Sequence, residues 1–324
     1  MTKGFILGKF MPLHRGHCHL IQTAVDTCNE VTVLVCSLPT EPIDGNIRYE
    51  WVKKAFPTVK VIHFKEVVPQ EPIEHPQFWD IWTEIVQRHH PEQIDFVFSS
   101  EDYGYKLAEC VGAKHILVDK ERRVFPVSGT LVRNNPFEVW DYIPNHVKPY
   151  FVKRILIHGG ESCGKSTLTK QLANHFGTIG VQEFAREWIE NNNNEFNYSD
   201  LILFAEEQHK QIEEGVQVAN KLLFADTDSM TTKIYSEEYF GKVHPSVELL
   251  SEKSNWDLVL LLKPTIPYKE EIQRNFGHKR EYMHERFQNI LIEKGLHFVE
   301  IDKVADERIK QAIEAIYNFF DFKN

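Results

Sequence analysis

The stretch "GGESCGKST" (159–167) carries Gly159, Gly164, Lys165 and Ser166 at the spacing G-x-x-x-x-G-K-[ST], between the apolar run "RILIH" and the amphipathic run "STLTKQLANHF". Such a loop works in one setting. Its glycines let backbone N–H groups turn onto a phosphate, while a strand before it and a helix after it hold the turn with the positive end of the helix aimed at the anion. The pattern therefore predicts a parallel α/β layer. Further strands are offered by "LLFADTD" (222–228), "WDLVLLLK" (256–263) and "LHFVEID" (296–302), separated by stretches of helical length. A second series comes earlier in the chain: "GFILG" (4–8), "VTVLVCSL" (31–38), "VKVIHF" (59–64), "IDFVFSS" (94–100) and "HILV" (115–118). Short β-branched apolar runs alternating with helical segments mark βαβ units. The fold class is thus α/β with two parallel-sheet domains, and 324 residues at 42% apolar can build both cores. In "DYIPNHVKPYFVK" (141–153) two prolines and an asparagine interrupt both periodicities, which places the domains at 1–149 and 150–324.

The formal charge of −10 argues against a general nucleic-acid surface and leaves small molecules as the expected partners. Cys18, Cys28, Cys36, Cys110 and Cys163 form no C-x-x-C pair, so no disulfide framework or zinc knuckle is expected, and a reducing cytoplasm fits. The apolar runs are strand-sized and the N-terminus lacks a signal-peptide pattern, so no membrane association is expected. The polar run "NNNNEFN" (191–197) reads as an exposed loop without a function. Oligomeric state is left open.

The stretch "GKFMPLHRGHCHL" (8–20) follows the first predicted strand and runs into "CHLIQTAVDTC", which reads as a helix. A strand, a glycine-containing loop and a helix N-terminus again make a phosphate cradle, to which His14 and His17 add side-chain donors. A side chain at Gly16 would hold the phosphate off the backbone. Zinc is the competing reading, but His17 and His19 are too close along a helix to converge, and His19 reads as a surface residue.

The pattern G-x-F-x-P-x-H-x-G-H, here Gly8, Phe10, Pro12, His14, Gly16 and His17, resembles the signature of the nucleotidylyltransferase superfamily. The superfamily's second signature is matched by "VSGTLVR" (127–133), with Ser128, Thr130 and Arg133. The resemblance implies a Rossmann-like nucleotidylyltransferase domain in which this second element reaches the ATP phosphates, Arg133 suiting charge spread over several oxygens. The implied reaction is attack of a phosphate oxygen on the α-phosphorus of ATP. Such a nucleophile is already ionised, so the histidines act as transition-state donors and not as bases, with Mg²⁺ sharing the neutralisation.

In the second half, Lys165 is expected along the β- and γ-phosphates, with Gly159, Gly164 and Thr167 in the loop and Ser166 on Mg²⁺. Glu183, in "VQEFAREW" (181–188), and Asp226 each follow a strand on the phosphate-loop side. Glu183 is read as the acceptor of a hydroxyl proton and Asp226 as the metal partner, with helix capping as the competing role for either acid and for Asp228 in particular. No N-K-x-D element follows, which disfavours a regulatory GTPase. The segment "KEEIQRNFGHKREYMHERF" (269–287) reads as a lid in which Arg274 meets the phosphates, while Arg280 and Arg286 fit a solvated charged helix equally well.

Together the halves resemble the NadR-type family, bifunctional nicotinamide-nucleotide adenylyltransferases and ribosylnicotinamide kinases, over nearly the whole chain. The segments "IRYEWVKKAFP" (47–57), "FWDIW" (78–82), "EFAREW" and "DTDSMTT" add to the likeness. It implies a C-terminal P-loop kinase domain and the ligands ATP, nicotinamide riboside, nicotinamide mononucleotide (NMN) and NAD. Trp79 and Trp82 are then candidates to stack on the cationic pyridinium ring, against the alternative of core tryptophans. Some relatives carry an N-terminal helix-turn-helix, whereas this chain starts almost at its first strand, so DNA binding is not expected. The family's glycine-containing lid run reads Glu270, Glu271, Ile272, Gln273 and Arg274 here, which leaves full kinase activity open. Competing readings are a coenzyme A synthase-like fusion, whose motif more often reads T-x-G-H, and a non-catalytic ATP/NAD sensor. A class I aminoacyl-tRNA synthetase would need a K-M-S-K-S loop, which is absent.

Overall fold

The computed structural model describes residues 1–268 and 276–322. Its backbone forms two compact units, Met1–Tyr150 and Phe151–Asn324. In the first, β1 (Lys3–Gly8), β2 (Glu30–Cys36), β3 (Lys60–Phe64), β4 (Phe96–Ser99) and β5 (Lys114–Leu117) make one parallel sheet in the order β3-β2-β1-β4-β5. In the second, β6 (Lys153–His158), β7 (Gly180–Val181), β8 (Leu222–Asp226), β9 (Leu258–Leu262) and β10 (Phe298–Ile301) pair in parallel in the order β10-β9-β6-β8-β7. Both are the α/β layers that the alternation of apolar runs predicts.

The strand sequences explain the layers. All five residues of β8 and of β9 are buried, as are six of the seven in β2, because helices cover both faces of a parallel sheet and no polar alternation is left. The helix Arg15–Thr27 turns Leu20, Ile21 and Ala24 inward, and the helix Lys165–His175 turns Leu168, Thr169, Leu172 and Ala173 inward, at the three- and four-residue spacings of a helical face. Each fully buried leucine or isoleucine contributes about 1.5–3 kcal/mol.

The strand order fixes where ligands can bind. In the first sheet the chain runs outward from β1 through β2 and β3, then returns to β4 on the other side of β1. In the second, β6 is flanked by β8 and β9. The loops after β1 and β6 therefore open at crevices where successive connections leave in opposite directions, the site that open parallel sheets offer to ligands.

Candidate functional site

In the N-terminal unit, Gly8, Phe10, His14, Gly16, His17, Trp79, Trp82, Ser128, Thr130 and Arg133, drawn from three separate stretches, all line one cavity of about 750 Å³. His14 caps the helix Arg15–Thr27, its Nδ1 accepting the His17 backbone N–H at 3.3 Å. That bond leaves the proton of a neutral His14 ring on Nε2, as a donor. The His17 ring stacks on His14 with centroids 3.7 Å apart and presents itself edge-on to Phe10 at 5.1 Å. Burial pushes the His14 imidazole down to about 2 and the His17 imidazole down to about 4. Both rings are neutral at pH 7 and carry one N–H each.

Gly16 has a local task different from the one its position suggests: a Cβ there would stand 3.1 Å from the His14 ring. Its bareness makes room for the imidazole. A Cβ at Gly8 would likewise meet the Phe10 ring at 3.2 Å. The second motif docks on this loop directly, since Arg133 Nη1 donates to the Met11 carbonyl and Nη2 to Thr130 Oγ1 at 3.1 Å. Ser128 caps the helix Gly129–Asn134, accepting from the Leu131 N–H at 3.1 Å.

The tryptophans separate. Trp82 is buried against Phe64 and Phe78, and its indole N–H is taken by the Pro69 carbonyl at 3.0 Å. Both line the cavity, but of the pair Trp79 alone is half-buried. His19 is not a free surface residue but half-buried, its ring 5.6 Å from Phe125.

In the C-terminal unit, Gly164, Lys165, Ser166, Thr167 and Glu183 line a cavity of about 200 Å³. Gly159 and Gly164 have φ of 138° and 84°, backbone that a side chain strains, and a Cβ at Gly159 would meet the Leu262 carbonyl at 2.9 Å. Lys165 Nζ donates to the Gly160 carbonyl at 3.1 Å, curled over its own loop. Glu183 precedes the helix Phe184–Asn191 but makes no capping hydrogen bond. Its carboxyl is pushed up to about 7, chiefly by burial, against the pull of Lys165 and with the help of Asp226. Asp226 is off the cavity wall, fully buried at the end of β8 beside Lys165 and the Ser166 hydroxyl, both of which favour its charged form, and neither carboxylate oxygen is in good hydrogen-bond geometry with a partner among the described residues. Burial raises this carboxyl too.

Asp228 is a cap. It accepts from Met230 and Thr231 N–H at 3.0 and 3.3 Å and from Trp256 Nε1 at 2.8 Å. Arg274 lies outside the described residues. Arg280 donates to the Ile266 carbonyl at 2.8 Å, and Arg286 pairs with Glu237 and Glu238, so both are engaged along their own helix surroundings.

Two family models match: the Cytidylyltransferase-like model over residues 5–162, which runs a little past the end of the first unit, and the AAA domain model over 154–308. The trifunctional NAD biosynthesis/regulator protein NadR of Escherichia coli (strain K12) is 32% identical over 341 residues, covering 97% of this chain and 82% of that protein. The chain belongs to the NadR family. The NadR of Salmonella typhimurium is 31% identical, with 97% and 82% covered. Two solved NadR structures share the fold at 24% identity: one in complex with NR, with a TM-score of 0.82 over 99% of this chain and 97% of that one, and one with NAD and AMP-PNP, at 0.81 over 100% and 97%.

Several residues of this NadR family member shape the sites without having been singled out individually, Arg48 among them although it lies in the family-like segment 47–57. Arg48 is fully buried and donates to the carbonyls of Lys9 at 2.6 Å, Cys36 at 3.1 Å and Ile43 at 3.0 Å, with Glu41 as its counter-ion, so it ties the loop after β1 to the end of β2. Arg308 does the same for the phosphate loop, donating to the Cys163 carbonyl, to Lys303 O at 2.8 Å and to Thr265 Oγ1 at 2.9 Å. Phe196 corrects the reading of the asparagine run: it reaches the wall of the kinase-side cavity and packs on Tyr239 at 5.3 Å. A lone aromatic among asparagines was the available signal.

Proposed function

We propose that the chain is a bifunctional enzyme of NAD biosynthesis: the C-terminal unit phosphorylates nicotinamide riboside with ATP, and the N-terminal unit joins the resulting mononucleotide to AMP from a second ATP. The observation that carries this reading is a pair of strand–loop–helix phosphate cradles, residues 8–17 and 159–167, each opening on its own cavity. The family supports it, since its Escherichia coli and Salmonella members are named for NAD biosynthesis and regulation. Solved family structures hold NR in one case and NAD with AMP-PNP in the other. A cytoplasmic setting belongs to the same reading; among the described residues no helix is long and apolar enough to cross a membrane.

In adenylyl transfer, a phosphate oxygen of the mononucleotide forms the new bond to the α-phosphorus of ATP while the bond to pyrophosphate breaks. No proton has to be removed from the nucleophile. The work falls to donors, His14 Nε2–H, His17 and Arg133, set where charge builds on the phosphate oxygens. In phosphorylation, the riboside hydroxyl oxygen bonds to the γ-phosphorus, ADP leaves, and the hydroxyl proton passes to Glu183. Lys165 holds the β- and γ-phosphates in line.

Mg²⁺ fits the C-terminal unit. Ser166 supplies a hydroxyl and Asp226, next to it, a buried carboxylate whose oxygens have no well-formed hydrogen bond among the described residues, hard oxygen donors of the kind Mg²⁺ takes alongside substrate phosphates and water. Bound there, the ion would neutralise phosphate charge.

Incubating pure protein with ATP, Mg²⁺ and nicotinamide riboside and identifying products by mass should yield both NMN and NAD. A nucleotide sensor would yield neither. Glu183 accepts a proton only when ionised, so riboside phosphorylation should fall as pH drops through about 7, and Glu183→Gln should be slow and lack this limb. A pH profile unchanged in the variant would return Glu183 to a structural role. Trp79→Ala should raise the KM for NMN roughly 5–30-fold, matching about 1–2 kcal/mol of lost cation–π contact, with the KM for ATP little changed. Trp82→Ala should instead lower stability by about 3–5 kcal/mol, as a core truncation. Equal KM values in wild type and Trp79→Ala would refute the stacking assignment.

A further inference from the structure

Gln208 lies on the helix Asp200–Val218, is 2% exposed, and lines the kinase-side cavity. Its carboxamide touches both turns that carry the kinase acids. Oε1 accepts the Phe184 N–H at 2.8 Å, and Nε2 donates to the Gln182 carbonyl at 3.3 Å and to the Thr227 carbonyl at 3.3 Å. Gln182 and Phe184 bracket Glu183, and Thr227 directly follows Asp226. The amide orientation is fixed, because a flipped carboxamide would set its NH₂ against the Phe184 N–H and its oxygen against two carbonyls.

What this amide holds is backbone that does not rest there by itself. Thr227 has φ of 97°, outside the range a β-branched residue normally adopts, and its Oγ1 is buried without a partner among the described residues. Glu183 has no capping bond of its own. The Glu183 turn has no side-chain bond of its own, Asp228 anchors the second turn only on its helix side, through Met230, Thr231 and Trp256, and the two turns are joined through one side chain from a third element. A residue that only filled space here would not need to satisfy one N–H and two carbonyls at once.

We propose that Gln208 is a positioning residue for riboside phosphorylation, its carboxamide locking the Glu183 turn to the Asp226–Asp228 turn. The proposal rests on the reading of Glu183 as proton acceptor. Gln208→Met keeps the length and volume and removes all three bonds. Gln208→Glu keeps the acceptor for Phe184 and turns both donor contacts into repulsions.

The test is steady-state kinetics on the full chain, with adenylyl transfer measured on the same preparations and thermal melting to confirm folding. Gln208→Met should lower kcat for riboside phosphorylation about tenfold or more with the KM for ATP within about twofold of wild type, and adenylyl transfer should be unchanged. In a double-variant cycle with Glu183→Gln, the two losses should not multiply: the double variant should be within about twofold of Glu183→Gln alone. A protein merely less well folded would lose rate in proportion on either background. Gln208→Glu should lose at least as much kcat as Gln208→Met and decides the matter if the methionine variant does not fold. The proposal is overturned if a folded Gln208→Met or Gln208→Glu turns over at the wild-type rate, or if its loss multiplies in full onto Glu183→Gln. Should Glu183→Gln itself be fully active, the assignment of the proton acceptor falls and this proposal with it. A slow Glu183→Gln beside a fully active Gln208→Met removes only the role of Gln208.

Discussion

His17→Ala should slow adenylyl transfer by about a hundredfold or more, while riboside phosphorylation continues and NMN accumulates. The imidazole is neutral in the free protein, pushed down to about 4 by burial, so what the variant removes is one oriented N–H donor and not a cation or a base. The helix start should survive the change: the bond that caps it runs from the His17 backbone N–H to His14 Nδ1, and alanine keeps that N–H. His14 loses its stacking partner at 3.7 Å and Phe10 its edge contact, both on a cavity wall, so the stability loss should stay within the common range of about 0.5–3 kcal/mol. Following NMN and NAD by mass over time checks the outcome. Adenylyl transfer at the wild-type rate would remove His17 from the reaction, and a folded variant that also lost phosphorylation would contradict two independent sites.

The N-terminal cavity was legible because its chemistry is packed into short stretches. His14, Gly16 and His17 lie on one loop and Ser128, Thr130 and Arg133 on another, and a parallel sheet brings the ends of its strands to one edge whatever lies between. What sequence could not give is how the two loops are joined. Arg133 reaches Met11 across 122 positions of chain, and Arg48 reaches Lys9 across 39. Bonds from a guanidinium to backbone carbonyls leave no trace in the identity of the accepting residue. Gly16 shows the same limit on a smaller scale, because a glycine in a phosphate loop has an obvious use, and the room it leaves for the His14 ring exists only in the folded loop.

In the C-terminal unit the phosphate loop was fully readable and the acids were not. Glu183, Asp226 and Asp228 each sit at or just after a strand's end, and three roles are open to a carboxylate there. Two physical facts sort them. Asp228 receives two backbone N–H groups and an indole N–H, which explains why it is buried without needing a cation. Among the described residues Asp226 and Glu183 receive no such set of bonds, both stand near Lys165 and both are raised by burial, Glu183 further by Asp226, the condition of groups held for a ligand or a proton. The aromatic side of the cavity, Phe196, Tyr235 and Tyr239, was missed because aromatic residues at irregular spacing look the same on a core and on a binding wall.

Lys165→Ala should give the complementary phenotype to His17→Ala: supplied NMN still becomes NAD, and riboside is left unphosphorylated, with the rate down by about three orders of magnitude. Two losses combine. The ammonium no longer draws the β- and γ-phosphates into line, and it no longer opposes the charge on the acids behind the loop. Lys165 is the largest influence lowering the carboxyls of both Glu183 and Asp226, so without it both move further up and Glu183 is less ionised at neutral pH. The direction can be checked apart from the size. Whatever phosphorylation remains in Lys165→Ala should recover as pH is raised above 7, because proton loss from Glu183 then limits the rate, whereas NAD formation from NMN should follow the wild-type profile. The loop itself should hold, since Lys165 contributes to it only the bond to the Gly160 carbonyl, and Arg308 and the helix Lys165–His175 keep the remaining turn in place. Loss of NAD formation in a folded Lys165→Ala protein would mean one ATP site serving both reactions, or obligatory coupling between them, and residual phosphorylation that fell with rising pH would remove Glu183 as the proton acceptor.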